Sequence, residues 1–340
     1  MASNMQALVI SLLLSLFTFS SSSPDNGNGG IAIYWGQNNG DGDLISTCDT
    51  NKYKIVLLAF LNKFGGGRIP AWNFAGHCDN GAWKKCYELE PEIKHCQAKG
   101  IKVLLSIGGA PGFSDYSISS AEDAKIVANY LYTNFLSGQF GPLGSVTLDG
   151  IDFDIEVTED HWDDLARELD TLRRTKGRYF HLSAAPQCPI PVHFLGKAIA
   201  TGLFDYVLVQ FYNNPECSYT GNVKPVLDSW DKWVNLVRPN NSLFLGLPAA
   251  PSAAWIGYIE PEKLISEVLP HVKNAPNYGG VMLWDRFRDV QNNYSGQILP
   301  YVVKLKDALL SVTDAIYGCV SNALHRVLTL NPYHYVPNPN

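Results

Sequence analysis

Residues Leu148 to Glu156 read Leu-Asp-Gly-Ile-Asp-Phe-Asp-Ile-Glu. Apolar and acidic side chains alternate along this stretch, which is the two-residue period of a β-strand. Ile151, Phe153 and Ile155 take one face, and Asp152, Asp154 and Glu156 take the other. On a surface strand the acidic face would be wet. This strand lies mid-chain among near-continuous apolar runs, the pattern of strands buried in a parallel sheet, so its acidic face is expected inside a barrel. Carboxylates enclosed at i, i+2 and i+4 repel one another and lose hydration, and both effects favour the protonated form. An enclosed carboxyl that keeps its proton near neutral pH is what a general acid needs. A purely structural role is the weaker reading, because buried acids need partners.

The remaining apolar runs predict strands at residues 31–35, 54–60, 102–107, 180–185, 206–211, 243–247 and 280–284, with the acidic strand at 146–156. Amphipathic helices are expected at 121–135, 160–174, 192–201, 226–237 and 261–273. The first crossover reads as less clearly helical, with glycine-rich turns at Gly65-Gly66-Gly67. Eight strand–helix units without a second domain's worth of chain predict a single-domain (β/α)8 TIM barrel, of the α/β class. A doubly wound open sheet is the alternative. No GxGxxG follows the first strand, and Gly108-Gly109-Ala110-Pro111-Gly112 lacks the spacing and the lysine of a phosphate loop.

Barrel chemistry gathers at the C-terminal strand ends. Those ends carry Tyr34 to Gln37, Phe60, Gly108-Gly109, Asp154, Glu156, Gln210 to Asn213 and Trp284-Asp285. An aromatic, amide-rich rim around a carboxylate pair suits a neutral, ring-bearing ligand such as a sugar. With 26 Lys and Arg against 32 Asp and Glu, the net charge is −6. No basic cluster points to nucleic acid or to an anionic membrane as partner.

The N-terminus reads as a signal peptide over about residues 1–25, its apolar core running from Ala7 to Phe19. That run is too short to span a bilayer, and it lacks the basic residues that usually precede such a core. Seven cysteines fit an oxidising compartment. The six in the main domain allow fifteen pairings, and their spacing is wrong for a CxxC metal site, so neither metal nor cofactor is expected. Asn240 and Asn293 head two potential glycosylation sequons.

Asp149, Asp152, Asp154 and Glu156 fill the strand signature DxxDxDxE, and the chain resembles glycoside hydrolase family 18. The likeness is to its plant class III, hevamine-like chitinases, carried also by Gly29 to Asn38, Ala59 to Asn62, Ala184 to Pro189, Val209 to Asn214 and Gly280 to Trp284. It spans residues 29–302, which would form the catalytic domain.

The resemblance implies an endochitinase acting on β-1,4-linked N-acetylglucosamine polymers with retention, with a lysozyme side activity. Glu156 would be the acid, while Asp154 would orient the substrate's acetamide and Asp152 would share its proton. Tyr212 would bind the acetamide oxygen. Tyr34, Gln37, Phe60, Gly109, Gln210, Asn213 and Trp284 would bind the sugars. It implies the pairings Cys48–Cys96, Cys78–Cys86 and Cys188–Cys217, and cis bonds at Ala59–Phe60 and Trp284–Asp285. The partners would be chitin and chito-oligosaccharides, with no nucleic acid, no membrane after leader removal, and a monomeric enzyme. The expected location is extracellular, or vacuolar through the C-terminal extension.

Some relatives on this barrel are storage proteins, lectins or glycosidase inhibitors, so a non-catalytic secreted barrel, binding carbohydrate, storing calcium or inhibiting a glycosidase, is the alternative. Residues 303–340 extend past the family's usual end. Apolar residues there recur at roughly helical spacing, and the last ten are rich in Pro and Asn. A sorting propeptide, an added helix and an exposed segment without specific function are the competing readings, with Cys319 either unpaired or linking two molecules.

Overall fold

The computed structural model describes residues 29–78, 85–157 and 160–304. Its strands are β1 (Ile31–Trp35), β2 (Ile55–Phe64), β3 (Ala71–Trp72), β4 (Lys102–Gly109), β5 (Asp115–Tyr116), β6 (Gly150–Ile155), β7 (His181–Ala184), β8 (Tyr206–Gln210), β9 (Ser242–Pro248) and β10 (Tyr278–Trp284). Eight of them pair in parallel in the order β1-β10-β9-β8-β7-β6-β4-β2, and β2 returns to pair with β1. The sheet is therefore closed, and the chain forms the expected (β/α)8 barrel. The two short strands, β3 and β5, both pair with the C-terminal half of β2 and raise the barrel wall there.

The alternation read from the sequence becomes two concentric layers. Ile31, Val56, Leu105, Ile151, Phe153, Ile155 and their equivalents face outward into the layer between sheet and helices. Ala32, Leu57, Leu104, Leu208, Phe244 and Met282 fill the barrel interior. Into that apolar interior β6 projects acids.

Local chemistry explains the helices. Trp162–Thr175 buries Trp162, Leu165, Ala166 and Leu169, a stripe at helical spacing. Ala121–Leu131 starts at Ser120, whose hydroxyl accepts from Asp123 N–H at 3.2 Å. Asp123 in turn accepts from Gly66 N–H at 2.7 Å. Gly65 has φ +70°, and a Cβ there would lie 1.9 Å from the Ser117 carbonyl oxygen, so only glycine lets this turn dock.

That turn corrects the sequence reading, because Gly65-Gly66-Gly67 follows β2 and belongs to the second connection. The first connection is helical over Leu44–Asp49, capped by Asp43, which accepts from Ser46 N–H at 2.6 Å. The helix expected at 192–201 shrinks to Gly196–Ala200. The Ile190–Pro191 segment and the positive φ of Phe194 occupy its first turns. The leader, Cys319 and all of the extension beyond residue 304 lie outside the described residues.

Cys48–Cys96, Cys78–Cys86 and Cys188–Cys217 are bonded, with sequence separations of 48, 8 and 29 residues. In the loop-entropy view, opening the first should cost about 4 kcal/mol and the second about 2.5 kcal/mol. Denaturant unfolding of the two double alanine variants checks this ordering, and an equal or larger loss for Cys78/Cys86 would refute it.

Candidate active site

The site is built on β6, whose inward residues climb from the barrel floor to its mouth. Asp152 is fully buried. Its Oδ2 accepts from Tyr34 Oη at 2.9 Å and from Ser106 Oγ at 2.7 Å. Ser183, its register partner on β7, adds another hydroxyl beside it. Burial raises the Asp152 carboxyl, and these hydrogen bonds oppose the rise.

One layer up, Asp154 accepts from Gln210 Nε2 at 2.9 Å. The same amide nitrogen reaches Glu156 Oε1 at 3.3 Å and Ala185 O at 2.9 Å. Gln210 on β8 therefore bridges the two carboxyls across the barrel. Asp154 is held well above the ordinary aspartate range, first by burial and then by the charges of Glu156 and Asp152. Burial likewise raises Glu156. Two neighbouring carboxyls that share one amide resist ionising together, and a carboxyl at the cleft wall that holds its proton more tightly than usual is equipped to donate it.

Backbone packing positions Glu156. Its N–H donates to Tyr116 Oη at 2.9 Å, and Tyr116 donates to Gly109 O at 2.9 Å. The Tyr116 ring stacks on Phe64 at 5.4 Å and edges onto Trp162 at 5.8 Å. At Gly108 a Cβ would lie 2.1 Å from the Asp154 carbonyl oxygen, so β4 and β6 approach this closely only with glycine there.

These carboxyls open into a cleft of about 560 Å³. Its floor is aromatic: Trp284 lies 5.4 Å from the Tyr34 ring and 6.0 Å from Phe60, nearly parallel to the latter. The Ala59–Phe60 and Trp284–Asp285 peptide bonds are cis, at the two places the resemblance implied. Tyr212 is buried beside the acids; burial and the charges of Asp154 and Glu156 keep its phenol protonated. Among the described residues no protein group hydrogen-bonds its hydroxyl. The loop after β9 closes on Tyr212 at Gly257, where a Cβ would meet the Tyr212 Cα at 2.7 Å.

Of the residues named from the sequence, Tyr34, Gln37, Phe60, Asp154, Glu156, Gln210, Tyr212, Asn213 and Trp284 all line the cleft. Asp152 lies beneath it. Gly109 is not part of the lining; its carbonyl accepts from Tyr116 Oη, and Ala110, Phe113 and Ser114 form the wall there. Gln37 lines the cleft but commits its amide nitrogen to the carbonyls of Ala59 at 2.8 Å and Asn73 at 3.0 Å. Asn213, at φ +59°, accepts from Trp255 N–H at 3.0 Å and so also secures a loop. Asp149 turns away to accept from Val103 N–H at 2.8 Å and Gln97 Nε2 at 3.0 Å. It anchors the strand.

Sequence reasoning missed Tyr116, Asn62, Asn73, Ser114 and Arg288. Arg288 sits on the rim, paired with Asp285 at 2.7 Å. Asn62 lies on β2 past the apolar run that marks the strand, Tyr116 on the two-residue β5, and Asn73 and Ser114 beside short strands, so none falls in a periodic run. Arg288 follows the Asp285 cap of the helix Arg286–Asn292, a readable cue. Among the described residues no group of three or more His, Cys, Asp or Glu is placed to hold a metal ion.

Comparison with known proteins bears on the same residues. The model of the glycosyl hydrolases family 18 matches residues 30–254. An acidic endochitinase of Arabidopsis thaliana is 52% identical over 282 residues, covering 82% of this chain and 92% of that protein. The solved chitinase ICChI of Ipomoea carnea superposes with a TM-score of 0.75 at 49% identity, covering 81% of this chain and all of that one. The xylanase and alpha-amylase inhibitor protein XAIP-II of Scadoxus multiflorus is also similar, with a TM-score of 0.74, 41% identity, and coverage of 81% and 99%.

Proposed function

The chain belongs to glycosyl hydrolase family 18 as a chitinase of the plant type, and from that premise we propose how it acts. It cuts internal β-1,4 bonds of N-acetylglucosamine polymers with net retention at the anomeric carbon. The observation that carries this reading is the arrangement around Gln210: a buried Asp154 and a raised Glu156 share one amide beside Tyr212, over an aromatic floor.

The sugar at the scissile bond lies on Trp284. Glu156 gives its proton to the glycosidic oxygen while the sugar's own acetamide oxygen attacks the anomeric carbon. The carbon–oxygen bond to the leaving sugar breaks, and a cyclic oxazolinium intermediate forms. No enzyme carboxylate acts as nucleophile, the exception this family makes to the usual two-carboxylate scheme. Asp154 accepts the acetamide N–H and offsets the developing positive charge, and Tyr212 donates to the acetamide oxygen as it aligns. Asp152 takes part of the shared proton from below. Glu156, now ionised, then draws a proton from water as the water opens the ring from the same face.

The relatives named as inhibitors share this barrel, so a purely binding role is the competing reading. An open cleft with Asp154, Glu156 and Tyr212 all at its wall favours catalysis here. Secretion through the N-terminal leader and action as a monomer on chitin and chito-oligosaccharides complete the proposal.

Proton NMR of a fresh digest of chito-oligosaccharides tests it. The first product should carry the β-anomer at its new reducing end. Initial appearance of the α-anomer would exclude the substrate-assisted route.

A further inference from the structure

The loop from β4 to β5 runs Ala110-Pro111-Gly112-Phe113-Ser114, and it presents Phe113 to water. This side chain is 85% exposed, yet it lines the cleft. Single exposed apolar residues are ordinary on a protein surface. The way this one is held is what distinguishes it.

Its carbonyl accepts from Asn62 Nδ2 at 2.9 Å, so a cleft-lining asparagine on β2 commits its amide to fixing the loop. Ser114 Oγ donates to Gly108 O at 3.0 Å, and Tyr116 Oη donates to Gly109 O at 2.9 Å. Because Tyr116 also receives the Glu156 N–H, the segment bearing Phe113 is tied to the strand end that carries the acid. Phe113 thus has a fixed backbone position relative to the cut bond, and among the described residues no aromatic ring lies against its own.

Phe113 follows β4 and is clamped from β2, the strand that carries Phe60. It lines the same cleft as Tyr34, Phe60 and Trp284. A polymer leaving that aromatic floor on the β2–β4 side would meet it. A ring on a pinned loop loses little freedom on stacking against the apolar face of a pyranose, since phenylalanine has two side-chain torsions.

We propose that Phe113 is a stacking platform for a sugar unit remote from the cut bond, making the enzyme favour long chito-oligosaccharides over short ones. This rests on the chitinase reading above.

The test compares kcat/KM on the hexamer and trimer of N-acetylglucosamine for wild type, Phe113→Ala, Phe113→Trp and Phe140→Ala. Phe140 is 73% exposed and outside the cleft lining, so it controls for loss of any surface aromatic. In Phe113→Ala the hexamer-to-trimer ratio should fall about three- to tenfold, the size expected for one lost ring contact. Phe113→Trp should restore it, and Phe140→Ala should keep the wild-type ratio. An unchanged ratio in Phe113→Ala, or hexamer and trimer falling together, overturns the platform. Calorimetric affinities for the two oligomers, measured with and without Phe113→Ala in a Glu156→Gln background, separate the two readings. Absence of wild-type cleavage sinks the catalytic proposal, whereas a length preference in binding that survives Phe113→Ala sinks this one.

Discussion

Glu156→Gln should lower kcat on N-acetylglucosamine oligomers by about two to four orders of magnitude while leaving the barrel folded and the oligomers bound. The replacement has the same shape, so the packing at the end of β6 is kept. The backbone N–H that donates to Tyr116 is untouched, and an amide oxygen can still accept from Gln210. What disappears is the transferable proton. Burial holds the Glu156 carboxyl above the ordinary glutamate range, so in the wild type the proton persists further toward neutral pH than it would on an exposed side chain. The wild-type rate should accordingly fall on the alkaline side as Glu156 loses that proton. Steady-state kinetics across pH, with far-ultraviolet dichroism as a fold control, checks both parts. A variant that cleaves within a factor of two of wild type would remove Glu156 from the mechanism.

Asp154→Asn should produce opposite effects on rate and stability. An amide cannot balance the positive charge that develops at the sugar, so kcat should fall about 10²- to 10³-fold, the scale of losing one preorganised electrostatic partner. Stability moves the other way through linkage. The folded-state carboxyl of Asp154 is raised, first by burial and then by the charges of Glu156 and Asp152. The folded protein therefore binds this proton more tightly than the unfolded chain does. Stability from that proton is fully present below the unfolded aspartate range, about pH 4, and is lost as pH rises through the folded value. Once pH passes that value the wild type bears a desolvated charge that the asparagine variant lacks. The difference in melting temperature, variant minus wild type, should grow more positive as pH rises above about 4. A difference that stays flat with pH would mean that Asp154 is not the strained group.

Both expectations concern residues legible from one stretch of sequence, because a strand's two-residue period assigns faces without knowledge of the fold. The same period marked the inward aromatics at strand ends, Tyr34 and Trp284. Short strands and strand ends carry too little of that period to read. Tyr116, on the two-residue β5, supports the Glu156 backbone from forty residues away, and Asn62, at the end of β2, holds the Phe113 carbonyl across fifty-one. Gly109 ends a strand at the cleft, yet its carbonyl is taken by Tyr116 of β5, a contact that no local pattern announces. Gln37 and Asn213 read as ligand-binding amides, yet both spend hydrogen bonds on backbone carbonyls or N–H groups that only the closed barrel brings near.

By itself, then, the sequence determined the repeated strand–helix alternation, the inward acidic face of β6 and the residue types at the barrel mouth, since these follow from periodicity and position along a strand. Tertiary structure alone decided which neighbours tune those acids. Burial, the Gln210 bridge from β8 and the Tyr34 and Ser106 hydroxyls act through space at about 3 Å, and contacts between strands far apart in the chain exist only once the sheet has closed.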